Sequence, residues 1–151
     1  AYDRWLRGDE TAVSASTKRG AELFAGEAGC GNCHSGVLFT DMKYHNVGIG
    51  MKNDEPDLGR HRVTEEDVDL GAFKTPTLRD ISRSGPYFHN GSVDTLEEAV
   101  ELMVNGGIDN PHIDRENLQP KFLSDEQKVD LVAFLRSLDC GGSLEIPELP
   151  Q

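Results

Sequence analysis

The stretch Gly29-Cys30-Gly31-Asn32-Cys33-His34 decides how this sequence folds. Its two thiols stand three residues apart, so a single helical turn places both on one side. The imidazole of the next residue lies beside them. Thiols at this spacing can each add to a vinyl group of haem, and the adjacent imidazole then binds the iron from the same side. The stretch therefore predicts one covalent c-type haem on Cys30 and Cys33, with His34 as the proximal iron ligand.

Two other kinds of site use paired cysteines. A structural zinc site needs two further ligands, in a second C-x-x-C or a paired-histidine motif, and the sequence contains neither. A thioredoxin-like redox pair lies in an alternating strand–helix context, which is also missing. The third cysteine, Cys140, is expected to be a free thiol. Haem attachment is thus the favoured interpretation.

The charge of the chain limits its partners. Fifteen Lys and Arg residues against 27 Asp and Glu residues give a net charge of −12. Such a surface repels phosphate backbones, which argues against nucleic-acid binding. It attracts basic proteins, so we expect a basic redox partner such as a small cytochrome c or a cupredoxin, although acidic surfaces also serve solubility alone. No apolar stretch reaches the length of a membrane span.

Three segments, about 14–25, 95–104 and 124–140, have apolar residues at helical spacing. Capping boxes mark the starts of the last two: Thr95 with Glu98, and Ser124 with Gln127. The interval 35–94 is too long for a structureless loop, so we expect a cofactor to organise it, with a minor helix near 65–70. The sequence predicts one domain over 1–151: an all-α cytochrome c-like fold, three core helices around the haem, and an extended tail over about 143–151.

Several side chains are candidates for the sixth iron ligand. Thioether ligation is common in c haems, and on spacing alone Met103, on the inward stripe of the second helix, competes with its role as core filler. The rivals are the other two methionines and four histidines: Met42, Met51, His45, His61, His89 and His112.

Ordered motifs along the chain resemble one known family. They include Phe73-Lys74-Thr75-Pro76-Thr77-Leu78-Arg79-Asp80, Gly85-Pro86-Tyr87-Phe88-His89-Asn90-Gly91-Ser92, and Thr95-Leu96-Glu97-Glu98-Ala99-Val100-Glu101. Similar matches are Tyr2-Asp3-Arg4-Trp5, Tyr44-His45-Asn46-Val47-Gly48 and Ile146-Pro147-Glu148-Leu149-Pro150. Over nearly its whole length, the chain resembles the C-terminal haem domain of bacterial di-haem cytochrome c peroxidases and MauG-like proteins.

The resemblance implies roles for individual residues. In the peroxidases, the methionine seventeen residues after the proline of the P-Y-F-H motif ligates the electron-transfer haem, and that position is Met103 here. MauG-like members have tyrosine there, so methionine favours the peroxidase type. The resemblance also implies that Arg79 lies near the haem propionates. It further suggests a calcium ion held partly by Ser84 and Pro86, although the remaining protein ligand belongs to another domain.

The resemblance covers one half of a two-haem architecture. This chain has a single C-x-x-C-H motif, so it is a cut-out domain, a natural single-haem relative or one subunit of a split enzyme. We expect one-electron transfer at a His/Met iron, in a bacterial, exported, periplasmic protein whose parent reduces hydrogen peroxide with a second haem domain. The alternatives are a component of a MauG-like oxidase and a haem-based sensor.

Overall fold

Five α-helices and one small antiparallel sheet form along residues 1–141, the part of the chain that this computed structural model describes. The helices are α1 (Tyr2–Leu6), α2 (Ala15–Ala25), α3 (His61–Thr64), α4 (Leu96–Val104) and α5 (Asp125–Ser137). The strands are β1 (Tyr44–His45) and β2 (Phe73–Lys74), and short 3₁₀ turns cover Cys30–Asn32, Asp67–Asp69 and Ile81–Arg83.

Helices α2, α4 and α5 lie within the three segments with helical spacing, and side chains fix where each begins. The Ser14 hydroxyl accepts a hydrogen bond from the backbone N–H of Thr17 at the start of α2. Complete capping boxes open α4 at Thr95 and α5 at Ser124. Each box satisfies backbone donors that have no partner inside the helix. Of the five helices, these three contribute buried side chains, whereas α1 and α3 contribute none.

Helices α2 and α5 cross at very short range and form the largest helix–helix contact of the described residues. A Cβ atom at Gly20 would overlap the backbone carbonyl of Asp130 and lie 2.9 Å from Phe134 Cβ. Beside this crossing, the rings of Phe24 and Phe134 lie 4.9 Å apart. The Asp130 carboxylate is almost fully buried there and binds Arg19 at 2.7 Å and 2.8 Å. Glycine is therefore required at the crossing point.

The long interval between α2 and α4 is organised by its own hydrogen bonds. In the sheet, Tyr44 pairs with Lys74 and His45 with Phe73. Asn46 is buried, and its side-chain amide donates to the Leu70 carbonyl at 2.7 Å. The predicted minor helix near 65–70 is a single 3₁₀ turn, and α3 precedes it.

Helix α1 and the sheet were not predicted, because each is too short to show a hydrophobic periodicity. The predicted tail over 143–151 lies outside the described residues. No helix within residues 1–141 is long and apolar enough to cross a membrane.

Candidate functional site

The C-x-x-C-H stretch forms one tight turn directly after α2. Gly29 adopts a left-handed conformation, with φ of 71°, and starts the 3₁₀ turn Cys30–Asn32. The backbone N–H of His34 then donates to the Cys30 carbonyl at 2.9 Å. Only glycine adopts positive φ at low cost, so this residue allows α2 to turn sharply into the motif. The two cysteines and the histidine therefore all lie within this one turn.

Both thiols of the turn are free and protonated at neutral pH. Burial raises the pKa of Cys30 to about 11 and that of Cys33 to about 11. Redox-active C-x-x-C pairs and zinc ligands act as thiolates, and their environments lower the thiol pKa. These surroundings do the opposite. They suit sulfurs that form uncharged thioether bonds.

The imidazole of His34 is held as a neutral ligand. Burial lowers its pKa, against the opposing effect of the Phe39 and Pro76 carbonyls. Its Nδ1 lies 2.9 Å from the Phe39 carbonyl oxygen, so Nδ1–H is the donor and Nε2 carries the lone pair. Neutral imidazole is the form that binds metals, and a backbone partner on the second nitrogen fixes the ring orientation. His34 thus has the protonation state and anchoring of an axial ligand.

A histidine bridge that the sequence analysis missed lies beside this turn. The two ring nitrogens of His45 contact different carboxylates, Asp114 at 2.5 Å and Asp41 at 2.9 Å. The backbone N–H of Asp41 donates to the Cys33 carbonyl at 2.8 Å. The bridge therefore connects the attachment turn to the segment that follows α4. Asp41 lies four residues before His45, which was the one local signal for it.

Among residues 1–141, one group of three histidine, cysteine or acidic side chains offers one possible metal-binding atom each, and these atoms all lie within 4.8 Å of one another. Its members are Cys33, Asp41 and His45. Both His45 nitrogens already face carboxylates, and the Cys33 thiol is protonated by burial. Both imidazole nitrogens are therefore engaged, and the group offers three residues where a structural zinc site uses four ligands.

The three methionines have different surroundings. Met42 is 53% exposed, and the Lys74 ammonium lies 3.0 Å from its sulfur. Met51 lies in a loop, with its sulfur packed against Gly71. Met103 is half-buried in the last turn of α4, where its carbonyl accepts a hydrogen bond from Gly106. Of the three, Met103 is the one on a packed helix.

The competing histidines, apart from the exposed His112, have hydrogen-bond partners on their rings. His61 Nδ1 lies 2.9 Å from the Glu66 carbonyl oxygen. His89 stacks on Phe73 with ring centroids 3.5 Å apart, and its Nε2 lies 3.0 Å from an Asp57 carboxylate oxygen. None of these histidines thus combines a buried ring with a backbone carbonyl on Nδ1, as His34 does.

Arg79 ties two segments around the attachment turn. Its guanidinium binds both carboxylate oxygens of Asp3, at 2.8 Å and 2.9 Å, and donates to the Val37 carbonyl. It also lies over the ring of Phe39, 5.0 Å from the centroid. Its predicted contact with haem propionates stays a prediction. So does the calcium site, whose residues Ser84 and Pro86 are exposed after the Ile81–Arg83 turn.

Comparison with known proteins matches this geometry to a family. The cytochrome c family profile matches residues 17–139. The chain is 41% identical to the methylamine utilization protein MauG of Methylorubrum extorquens, a match covering 99% of this chain and 42% of that protein. It is 34% identical to the cytochrome-c peroxidase IdrP1 of Denitromonas iodatirespirans, covering 99% and 47%. The resemblance predicted from the sequence is confirmed.

Comparison with solved structures finds a similar fold in a protein of the same kind. The crystal structure of a MauG-like protein associated with microbial copper homeostasis superposes with a TM-score of 0.78 at 30% identity, covering 91% of this chain and 50% of that one. The chain thus spans less than half the length of the two curated relatives above. Activities of those whole proteins come to this chain only as proposals.

Proposed function

This chain belongs to the cytochrome c family, and from that premise we propose that it carries one covalent haem and transfers single electrons. Cys30 and Cys33 would hold the haem, and His34 and Met103 would bind its iron. When bound, the haem supplies a one-electron ferric/ferrous couple. The observation that carries the proposal is the single turn on which two protonated thiols adjoin a neutral, anchored imidazole. That donor set fits a c-type haem and suits no other site considered above.

The side chains of this chain set the character of the site. His34 keeps its lone pair on Nε2 because the Phe39 carbonyl holds the proton on Nδ1. A thioether from Met103 favours ferrous iron and raises the reduction potential, which suits a donor relay. Phe39, whose carbonyl holds the imidazole, has its own ring packed in the hydrophobic core against Phe24. The site is therefore suited to electron exchange without bond making.

The role of this chain in a larger assembly is proposed from its relatives. We propose that the chain is the electron-transfer domain or subunit of a cytochrome c peroxidase-like, periplasmic protein, partnered by a basic redox protein and by a second haem domain. Calcium at Ser84 and Pro86 belongs to the same proposal. A second candidate is a MauG-like oxidase component, which the 41% identity to MauG favours. The two differ at position 103, where the family resemblance associates methionine with the peroxidase type.

Ligation by Met103 tests this proposal. The haem-loaded, oxidised chain is expected to be low-spin, with the weak far-red sulfur-to-iron absorption band. Met103→Ala should abolish the band and lower the midpoint potential. The matched controls Met42→Ala and Met51→Ala should leave both unchanged. Visible absorption and redox titration make the measurement, and a band that persists in Met103→Ala shows that another residue ligates the iron.

A further inference from the structure

Phe122 is the most exposed large hydrophobic side chain within residues 1–141, at 98%. It lies in the non-helical segment just before α5. The residues on either side, Lys121 and Leu123, are half-buried, and Leu123 packs against the hydrophobic core. Because both neighbours are held inward, the ring projects into solvent. A whole aromatic ring in water is unfavourable, so its exposure on an anchored segment needs a reason.

The anchors place Phe122 beside both elements that carry the proposed iron ligands. The backbone N–H of Lys121 donates to the Val104 carbonyl at 2.8 Å, one residue after Met103. The aliphatic stem of Lys121 lies against Gly29, where a Cβ atom would be 3.3 Å from its Cε. Phe122 is thus at the surface where the attachment turn meets the end of α4.

Carboxylates surround this position. The side chains of Asp125 and Glu126, which open α5, are 103% and 83% exposed. Across from them, Glu27 accepts a hydrogen bond from Gln127 at 3.3 Å. An open groove of about 450 Å³ runs on between α2 and α5, lined by Glu22, Glu27 and Glu126. Arg19 also lines it, where its guanidinium is bound to Asp130 and lies 3.9 Å from the exposed Glu126 carboxylate. We call Phe122 and these four exposed acidic residues the Phe122 surface.

We propose that the Phe122 surface is the docking site for a basic redox protein, with Phe122 at the centre of the contact. This inference rests on the proposed electron-transfer function and names the partner's contact surface. The expected partner presents lysines around an apolar patch at its own cofactor edge. Its patch covers Phe122, and its lysines face Glu22, Glu27, Asp125 and Glu126.

Charge complementarity selects this occupant. The net charge of −12 repels a second copy of the chain and attracts a cationic protein from a distance. Exposed carboxylates steer the encounter, whereas a desolvated aromatic side chain near the centre stabilises the docked complex. The two parts of the surface therefore affect different measurements, and this difference makes the proposal testable.

The experiment measures electron exchange between the haem-loaded chain and a commercial basic monohaem cytochrome c. Stopped-flow relaxation gives the second-order rate constant at ionic strengths from about 0.01 to 0.5 M. Phe122→Ser should lower it roughly tenfold at every ionic strength. Glu27→Gln with Glu126→Gln should lower it roughly three- to tenfold at low salt and flatten its salt dependence. The matched controls are Val63→Ser, 86% exposed on α3, and Glu65→Gln with Glu66→Gln, and they should stay near wild type.

The results distinguish docking at the Phe122 surface from docking elsewhere on the chain. Reduction by ascorbate and the absorption spectrum should be the same in every variant. A wild-type chain that attaches no haem contradicts the proposed function itself. If the chain exchanges electrons but Phe122→Ser and the double glutamine variant match their controls, the donor docks elsewhere and this inference is wrong. A wild-type dimer that Phe122→Ser converts to a monomer, seen by sedimentation, makes the surface a self-contact and equally overturns it.

Discussion

At the scale of single residues, the His45 bridge shows how a polar cluster can support the site. Burial opposes the charged form of the imidazole, but the hydrogen bonds that it donates to Asp114 and Asp41 outweigh this effect and raise the pKa of His45. For Asp41, burial favours the neutral form, yet the His45 contact and further hydrogen bonds lower its pKa to about 2. The three groups are therefore all charged near pH 6, and the imidazolium stabilises the charge on both carboxylates.

The bridge predicts a pH-dependent stability that one substitution removes. The raised pKa of His45 means that its stabilising effect is complete below the unfolded value of 6.5 and is lost as pH rises through the folded pKa. The free energy of unfolding should therefore fall from about pH 6 to pH 9. His45→Gln should flatten this profile and cost roughly 1.5–3 kcal/mol at the lower pH.

Urea denaturation across this pH range, followed by circular dichroism, measures the profile. His112→Gln, at an exposed histidine, is the control and should retain the wild-type slope. Parallel profiles for wild type and His45→Gln would show that the bridge carries no charge in the folded state.

Prediction of single residues from the sequence reaches furthest where the chemistry is local. Cys30, Cys33 and His34 fall within five residues, so their spacing alone indicates a covalent haem. The contact from His45 to Asp114 spans 69 residues, and neither partner's neighbours point to the other. The same limit applies to Arg79, whose Asp3 partner lies 76 residues away.

At the scale of elements, the crossing of α2 and α5 has the least tolerance for change. Alanine is favoured over glycine inside a helix by roughly 1 kcal/mol, so propensity alone predicts that Gly20→Ala stabilises α2. The structure predicts the reverse, because the new Cβ would overlap the Asp130 carbonyl. Backbone atoms cannot move aside as a flexible side chain can.

Gly20→Ala should therefore lower the free energy of unfolding by about 3 kcal/mol or more. The control is Gly141→Ala, where a Cβ atom would have no neighbour within 4 Å. Urea unfolding of the haem-loaded proteins makes the comparison. A Gly20→Ala chain as stable as wild type would mean that the two helices separate at little cost.

The elements differ in how well the sequence predicts them. Helices α4 and α5 were predicted with their starting residues because capping boxes are short, directional signals. The contact between α2 and α5 was not, since a glycine in a helix does not show what packs against it. The two-residue strands depend on pairing between Tyr44 and Lys74, which no local pattern encodes.

At the scale of the whole molecule, the protein's own backbone contacts help to organise the interval 35–94, and the contribution of a cofactor stays a prediction. Backbone contacts close the loop onto the end of α4: Ile108 N–H donates to the Val47 carbonyl at 3.0 Å, and Asp114 N–H to the Asn46 carbonyl at 3.0 Å. A Cβ atom at Gly107 would lie 2.5 Å from the Val47 carbonyl oxygen. The loop and the segment after Met103 therefore form one packed layer.

The proposed ligation leads to a prediction for the intact molecule: the haem-loaded chain alone should reduce hydrogen peroxide slowly. Peroxide needs a vacant position on iron and a nearby group to move a proton between its oxygens. If His34 and Met103 both bind the iron, as proposed, peroxide finds no vacant position. Its reduction also takes two electrons, and this sequence has one attachment motif.

Steady-state turnover with peroxide and a reduced donor tests the prediction. Wild type and Met51→Ala should both stay near the rate of a six-coordinate basic cytochrome c, because their iron offers peroxide no position. Met103→Ala should turn over faster, since it opens one position while leaving His34 and its carbonyl partner in place. Adding a second haem domain from a peroxidase relative should raise turnover without any substitution, since peroxide then reacts at the other iron. Fast turnover by the unaltered chain alone would mean that Met103 leaves the iron readily, and electron transfer would no longer account for the site.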